Sequence, residues 1–226
     1  MRYHNLHPWN VDYKEAIKIQ ESLKSRIILE NSFNNLNDKL IAGADVSYNK
    51  KNSLFYAGIV VFELDAMQKI DEVTASGKVD FPYIPGLLSF REAPILLKAF
   101  SKIKTNPDIV ILDAQGIAHP RGIGLATHIG LLLDKPTIGC AKTKLIGEYN
   151  EVGKDTGCRS PLKIEGKTVG AVLRTRKNVK PVFISPGHYI DLPTSVDLVL
   201  KTCRGYRLPE PIRQAHKLVY KIATAN

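Results

Sequence analysis

Apolar residues recur at helical spacing from about Tyr13 to Ile28, with Ile17, Leu23 and Ile27 on one side and Lys and Glu elsewhere. This spacing predicts an amphipathic helix. Three runs then read as successive antiparallel strands joined by short polar connections: Leu40 to Tyr48, Phe55 to Phe62 and Ile70 to Gly77. Ser89 to Lys102 is predicted helical, with Ser89 as N-cap and Glu92 placed three residues on, as a capping box requires. The strand Ile109 to Leu112, the helix Gly124 to Leu133 and the strand Thr137 to Cys140 follow in the alternation of parallel βαβ pairing. A second β region, Thr168 to Arg174 and Pro181 to Ser185, leads to helices at Ser195 to Lys201 and Glu210 to Ala223. The last of these opens on Pro209-Glu210-Pro211, as helices often do. The fold class is α/β: a mixed sheet of three antiparallel strands followed by parallel βαβ strands, flanked by helices.

The chain of 226 residues is 44% hydrophobic and carries no Pro/Gly/Ser-rich linker, so a single domain over 1–226 is expected. Its formal charge of +10 favours polyanions, although ordinary solubility charge gives the same balance. The basic run from Arg174 to Lys180 either grips phosphates or forms a solvated hairpin end. Cys140, Cys158 and Cys203 are odd in number and widely spaced, giving neither a disulfide framework nor a zinc pattern. With no apolar leader segment, no stretch long enough to span a bilayer and no internal repeat, a cytoplasmic protein with no membrane partner is expected.

Asp113 hangs off the apolar run Ile109 to Leu112 and is followed by a flexible turn and the pair His119 and Arg121. Asp45 closes the run Leu40 to Ala44 in the same way. If the two strands lie side by side, both carboxylates project at one sheet edge, where ligands of open α/β sheets gather. Adjacent carboxylates repel unless a cation sits between them, and hard oxygen ligands select Mg²⁺ or Mn²⁺. Glu92 is a third ligand or orients a water. Taken singly, Asp45 could pair with a surface lysine, Glu92 could cap its helix, and His216 could be an ordinary amphipathic-face histidine.

Asp45, the string Pro82-Tyr83-Ile84-Pro85-Gly86-Leu87-Leu88-Ser89-Phe90-Arg91-Glu92 and the string Asp113 to Arg121 occur in the order found in endonuclease V, and the chain resembles that family. The likeness continues through His128, Lys142-Thr143-Lys144-Leu145, Gly170 to Arg176, Ser185 to His188 and Arg207 to His216. The resemblance implies a ribonuclease-H-like fold and a Mg²⁺-dependent endonuclease, with Mn²⁺ able to substitute. Its substrate would be DNA containing deoxyinosine, cut in DNA repair at the second phosphodiester bond 3′ to the lesion to leave 3′-hydroxyl and 5′-phosphate ends. The alternative within the family is an endoribonuclease acting on inosine-containing RNA. By the same resemblance Asp45 and Asp113 bind metal with Glu92 completing the acidic set, His216 positions the water or scissile phosphate, and Lys142 supplies positive charge. A monomer is expected.

Reading a base inside a duplex requires taking it out of the stack, and the gap needs a filler. Pro82, Tyr83, Ile84 and Pro85 suit a DNA wedge, two prolines stiffening the loop and Tyr83 offering an aromatic plate; a rigid loop with a buried tyrosine is the other reading. Hypoxanthine needs a donor toward O6 and an acceptor for N1–H. Gly86, Leu88, Gly116 and Gly124 let backbone approach a base, and His119, Ala114 and Leu145 help form the pocket. Gly122 and Gly124 could instead serve helix entry, and Leu88 and Leu145 could be core. The family usually has Gly where this chain has Ala114, so either the backbone angle there is ordinary or the pocket differs. Two other classes, a non-catalytic nucleic-acid-binding module and a different metal nuclease such as a junction resolvase, compete with this reading.

Overall fold

The computed structural model describes residues 1–225. Helix α1, Tyr13–Leu23, begins on Asp12, whose carboxylate accepts from the Glu15 N–H while Glu15 accepts from the Asp12 N–H. The expected run to Ile28 is cut short. After a single 3-10 turn at Lys24–Arg26 the chain becomes extended at Ile27, because Ile28 is held by a distant segment: its N–H donates to His188 and its carbonyl accepts from Tyr189.

Strands β1 (Leu40–Asn49), β2 (Leu54–Glu63) and β3 (Lys69–Gly77) form the antiparallel meander read from the alternation. Helix α2, Leu88–Phe100, follows, then β4 (Ile109–Leu112), α3 (Leu125–Leu133) and β5 (Thr137–Ala141). The chain continues through β6 (Arg159–Ile164), β7 (Lys167–Leu173), β8 (Val182–His188), α4 (Leu192–Lys201) and α5 (Glu210–Thr224). Among the described residues all eight strands join one sheet in the order β3-β2-β1-β4-β5-β8-β7-β6. Only β1–β4 and β4–β5 pair in parallel; β5–β8, β8–β7 and β7–β6 are antiparallel. This is the mixed sheet flanked by helices expected from the sequence, extended by a second antiparallel wing. Strand β6 gave no signal because Pro161 interrupts it, and Pro is tolerated there since β6 is an edge strand.

The sheet is covered on both faces. Ala42, Ala44, Val110 and Leu112 pack against α2 and α3 through Leu96, Phe100, Ile129 and Leu132. Ile41, Ile109, Ile111 and Ile138 pack against α4 and α5 through Val196, Val199, Ile212 and Ala215. Burial of both faces explains why β4 and β5 read as continuous apolar runs. At Gly43 a Cβ would lie 2.0 Å from the Pro211 carbonyl carbon, so glycine is what lets the start of α5 rest directly on β1.

Two helix starts differ from the expected ones. The Ser89/Glu92 capping box does not form: α2 starts a residue earlier, its N-cap is Leu87, and Ser89 is buried inside the helix with an unpartnered hydroxyl. Likewise α4 begins at Leu192, three residues before Ser195, because Asp191 caps it through the Thr194 N–H. Among the described residues no helix is long and apolar enough to cross a membrane.

Candidate active site

The condition on which the acidic site depends is met: β1 and β4 are neighbours in parallel register, with Ala44 opposite Leu112, so Asp45 and Asp113 follow at the same level. Asp45 closes the apolar part of its strand but lies inside it, as the expected span Leu40 to Tyr48 has it. β1 runs on to Asn49, paired with β2, whereas β4 stops at Leu112, and the space β4 vacates becomes a cleft of about 580 Å³.

Asp45, Glu92, Asp113, Lys142 and His216 all line this cleft. His216 comes from the middle of α5, whose close seating at Gly43 carries it over β1, and its Nδ1 donates to Oδ2 of Asp45 at 2.8 Å. Asp113 forms an ion pair with Lys142, which follows directly on β5. Glu92 reaches the cleft from the second turn of α2 and has no cap duty to hold it back. Burial pushes its carboxyl up to about 8, and the charges of Asp45 and Asp113 push in the same direction. Asp45 is also raised, first by burial and then by Asp113, against the hydrogen bond from His216.

Three carboxylates therefore share one cleft at an electrostatic cost. A divalent cation would relieve it, and an all-oxygen donor set suits a hard ion such as Mg²⁺ or Mn²⁺. Among the described residues no three acidic, histidine or cysteine side chains close round a single point as they stand. Two of the acids are already engaged by side chains of the protein itself, Asp45 by a hydrogen bond from His216 and Asp113 by the ammonium of Lys142. Asp45, Asp113 and Glu92 fit the ion by charge and chemistry, with those two contacts as the ones it would compete against.

The segment expected to act as a wedge forms one rim. Tyr83, Ile84 and Pro85 line the cleft and Pro82 stands outside it. Tyr83 is 68% exposed, which removes the buried-tyrosine reading, and the Arg91 guanidinium lies 5.9 Å from its ring. Gly86 ends the segment at φ +78, and its carbonyl oxygen accepts from Arg121 (2.6 Å), His119 (3.0 Å) and Gln20 (3.2 Å). Burial, and secondarily the Arg121 charge, lowers His119 to about 4, so it is neutral at physiological pH. Its Nε2 donates to Gly86 while its Nδ1 accepts from the Arg121 N–H, so His119 is a brace under the rim.

Leu88, Ala114, Gly124 and Leu145 line the cleft as expected, and Leu145 is exposed there instead of sitting in the core. Ala114 has an ordinary negative φ, so its side chain replaces glycine without strain. Gly116 is a correction: it does not line the cleft, and a Cβ there would lie 2.1 Å from the Pro186 carbonyl oxygen, so its glycine serves the approach of β8. Gly124 lines the cleft and also serves packing, since it caps α3 with a Cβ position 2.2 Å from the Gln115 oxygen.

Two cleft residues escaped the sequence reading. Gln20 looks like one polar position on an amphipathic helix, yet it is buried and ties α1 to Gly86, Ile123 and Arg121. Gln115 lies inside the Asp113 string, so its neighbours were a signal; its amide donates to the Thr143 carbonyl, and its Oε1 is buried without a partner among the described residues. Of the basic run, Arg174 is structural, donating to the carbonyls of Val152, Gly153 and Val179, and Lys177 pairs with Asp155.

A family model described as Endonuclease V matches residues 21–217. A relative named Endonuclease V from Kosmotoga olearia is 47% identical over 223 residues, covering 98% of this chain and 97% of its own. The crystal structure of endonuclease V from Bacillus subtilis superposes with a TM-score of 0.94 at 31% identity, over 100% of this chain and 98% of that one. The Ciona intestinalis endonuclease V, solved in complex with a 24mer DNA containing an inosine followed by a ribo-adenosine, superposes with a TM-score of 0.80 at 27% identity, over 94% and 98% of the two chains.

Proposed function

The chain belongs to the endonuclease V family and is an endonuclease, and from that premise we propose that it hydrolyses DNA beside deoxyinosine, the product of adenine deamination. The cut falls at the second phosphodiester bond on the 3′ side and leaves 3′-hydroxyl and 5′-phosphate ends, with Mg²⁺ as the ion and Mn²⁺ able to replace it. The observation that carries this reading is the convergence of Asp45, Asp113 and Glu92 with Lys142 and His216 in one cleft, beside an exposed tyrosine on a braced, proline-flanked rim. A pure binding module has no use for three acids facing a polyanion, and a resolvase has no use for the rim.

When bound by Asp45, Asp113 and Glu92, the ion supplies Lewis-acid stabilisation of the phosphate and lowers the pKa of a water. The remaining work belongs to side chains. Lys142 places positive charge beside Asp113, where a non-bridging phosphate oxygen gathers charge as the bond breaks. His216 is fixed through Nδ1 on Asp45, leaving its other ring nitrogen to hold the water or the scissile phosphate. Tyr83 fills the gap left by the extruded base, and its exposure on a stiff loop means little order must be created on binding. The base enters beside Ala114 and Leu88, and the unpartnered Oε1 of Gln115 is an acceptor of the kind N1–H requires and adenine cannot match. His119, already committed to Gly86, shapes the pocket without reading the base.

Inosine in RNA is the second reading, favoured by the ribo-adenosine in the ligand of the Ciona relative. Matched oligonucleotides containing inosine or adenine, as DNA and as RNA, with Mg²⁺ or a chelator, decide among these readings. Cleavage of inosine DNA only, abolished by chelation and mapped one nucleotide beyond the lesion, is the expected result. Cleavage indifferent to the base would refute lesion reading, and binding without cleavage would reduce the protein to a module. The protein is placed in the cytoplasm and acts as a single-domain monomer on this reading.

A further inference from the structure

A second groove, of about 760 Å³, opens beside the catalytic cleft and shares Lys144 with it. Its floor is the segment 146–150 laid along the edge strand β6. Glu148 and Lys163 exchange both backbone hydrogen bonds, at 2.8 and 2.9 Å, so this segment is pinned to the sheet. Tyr149 stands on that floor with its ring edge-on to Phe183 at 5.6 Å and 75°, and Phe183 is anchored in a small core with Leu162 and Val172. The tyrosine remains 39% exposed, and the Lys144 ammonium lies 5.8 Å from its ring centre. Lys144 and Lys163 are balanced on the groove walls by Glu148 and Glu165, so bulk charge is not what distinguishes the place. What distinguishes it is a rigid aromatic plate with a cation at its rim that also lines the catalytic cleft.

Proteins that hold single strands combine aromatic plates for bases with cations that follow the backbone. Resting on the reading of the cleft as a nuclease site, we infer that this groove holds the continuation of the cleaved strand, one unpaired base laid against Tyr149 and the neighbouring phosphate met by Lys144. Continuity argues for this occupant: a strand lying in the cleft has Lys144 at its exit toward Tyr149. The glutamates on the walls argue for a few nucleotides set by stacking, as a long electrostatic track would exclude them.

The test is a set of inosine-containing single strands extended stepwise on the 5′ or the 3′ side of the lesion. For the wild-type enzyme KM should fall as one side, and only that side, is lengthened. Tyr149→Ala should raise KM for the long strands about fivefold, the lower end expected for an exposed stacking plate, with kcat unchanged. Tyr149→Phe should restore the wild-type value. Because Tyr149→Ala also removes a contact to Phe183, Lys163→Glu on the exposed groove wall serves as a second variant and should weaken the same strands. Fluorescence anisotropy with a plain single strand and no metal reads the groove independently of lesion cleavage, so failure of the cleft reading does not mask it. A wild-type KM indifferent to length, a loss equal on both sides, or equal anisotropy for wild type, Tyr149→Ala and Lys163→Glu would overturn the inference and leave the groove to a partner of another kind.

Discussion

Replacing Glu92 by Gln removes one charge from the acidic cleft while keeping its shape, and the consequence can be worked out with its sign. In the folded protein the Glu92 carboxyl is pushed up to about 8, against an ordinary value of 4.5, by burial and by the charges of Asp45 and Asp113. Between those two pH values the folded state holds a proton that the unfolded state has released, so stability falls as pH rises through the window. Below 4.5 the term is fully absent, and above 8 it is at its maximum. At about 1.4 kcal/mol per pH unit the whole displacement amounts to at most about 5 kcal/mol. The cleft is open to water on one side, so screening cuts this to about 1–2 kcal/mol. For a chain of this length that corresponds to about 3–6 °C in Tm. Metal-free Glu92→Gln should therefore match the wild type near pH 5 and melt about 3–6 °C higher at pH 9. Adding Mg²⁺ at pH 9 should stabilise the wild type more than the variant, because the wild type has three carboxylates to relieve and the variant only the Asp45–Asp113 pair, and the variant should lose cleavage. Thermal melts across pH 5 to 9 provide the measurement. A difference between the two proteins that does not grow with pH would show that the three carboxylates do not interact and would remove the basis for the metal site.

Asp45→Ala or Asp113→Ala should abolish cleavage while leaving strand binding intact or tighter, since either change reduces repulsion of phosphate; undiminished turnover in a single-turnover assay would refute the assignment. Tyr83→Ala should weaken binding to inosine in duplex DNA more than in single strands, where no stack has to be opened, and equal losses on both would speak against a wedge. Gly43→Val should lower stability by about 1–3 kcal/mol or more through overpacking against Pro211, and should lower kcat because α5 can no longer bring His216 to Asp45. A melt that falls while kcat holds would show that His216 does not depend on that seating.

Much of this protein was legible along the chain because the signals were local. The alternation of β1 to β3, the apolar runs of β4 and β5, and the acids directly after Ala44 and Leu112 depend on neighbours a few residues apart, and they set out the sheet and the two carboxylates. Resemblance then tied Glu92, Lys142 and His216 to them. Where local signals competed with distant contacts, the distant ones won. Ser89 and Glu92 spell a capping box, but the helix starts earlier and its first turn is buried; Ile27 and Ile28 continue a helical stripe, but Tyr189 draws them into an extended segment.

Spacing along the chain thus determined which residue types were available: acids directly after apolar runs, a stiff aromatic loop, a histidine on the last helix. Tertiary structure alone decided that β4 would stop where β1 continues, opening the cleft, and that a bare Cα at Gly43 would let α5 close to within hydrogen-bonding reach of Asp45. It also decided that Gly116 would serve packing and that Gln20, from the far N-terminal helix, would brace the rim. The physical reason is one of range. Propensity and periodicity act over a few residues, whereas desolvation, charge repulsion and steric approach depend on groups that sequence separates by tens of positions, or by 171 for Asp45 and His216, and the fold brings together.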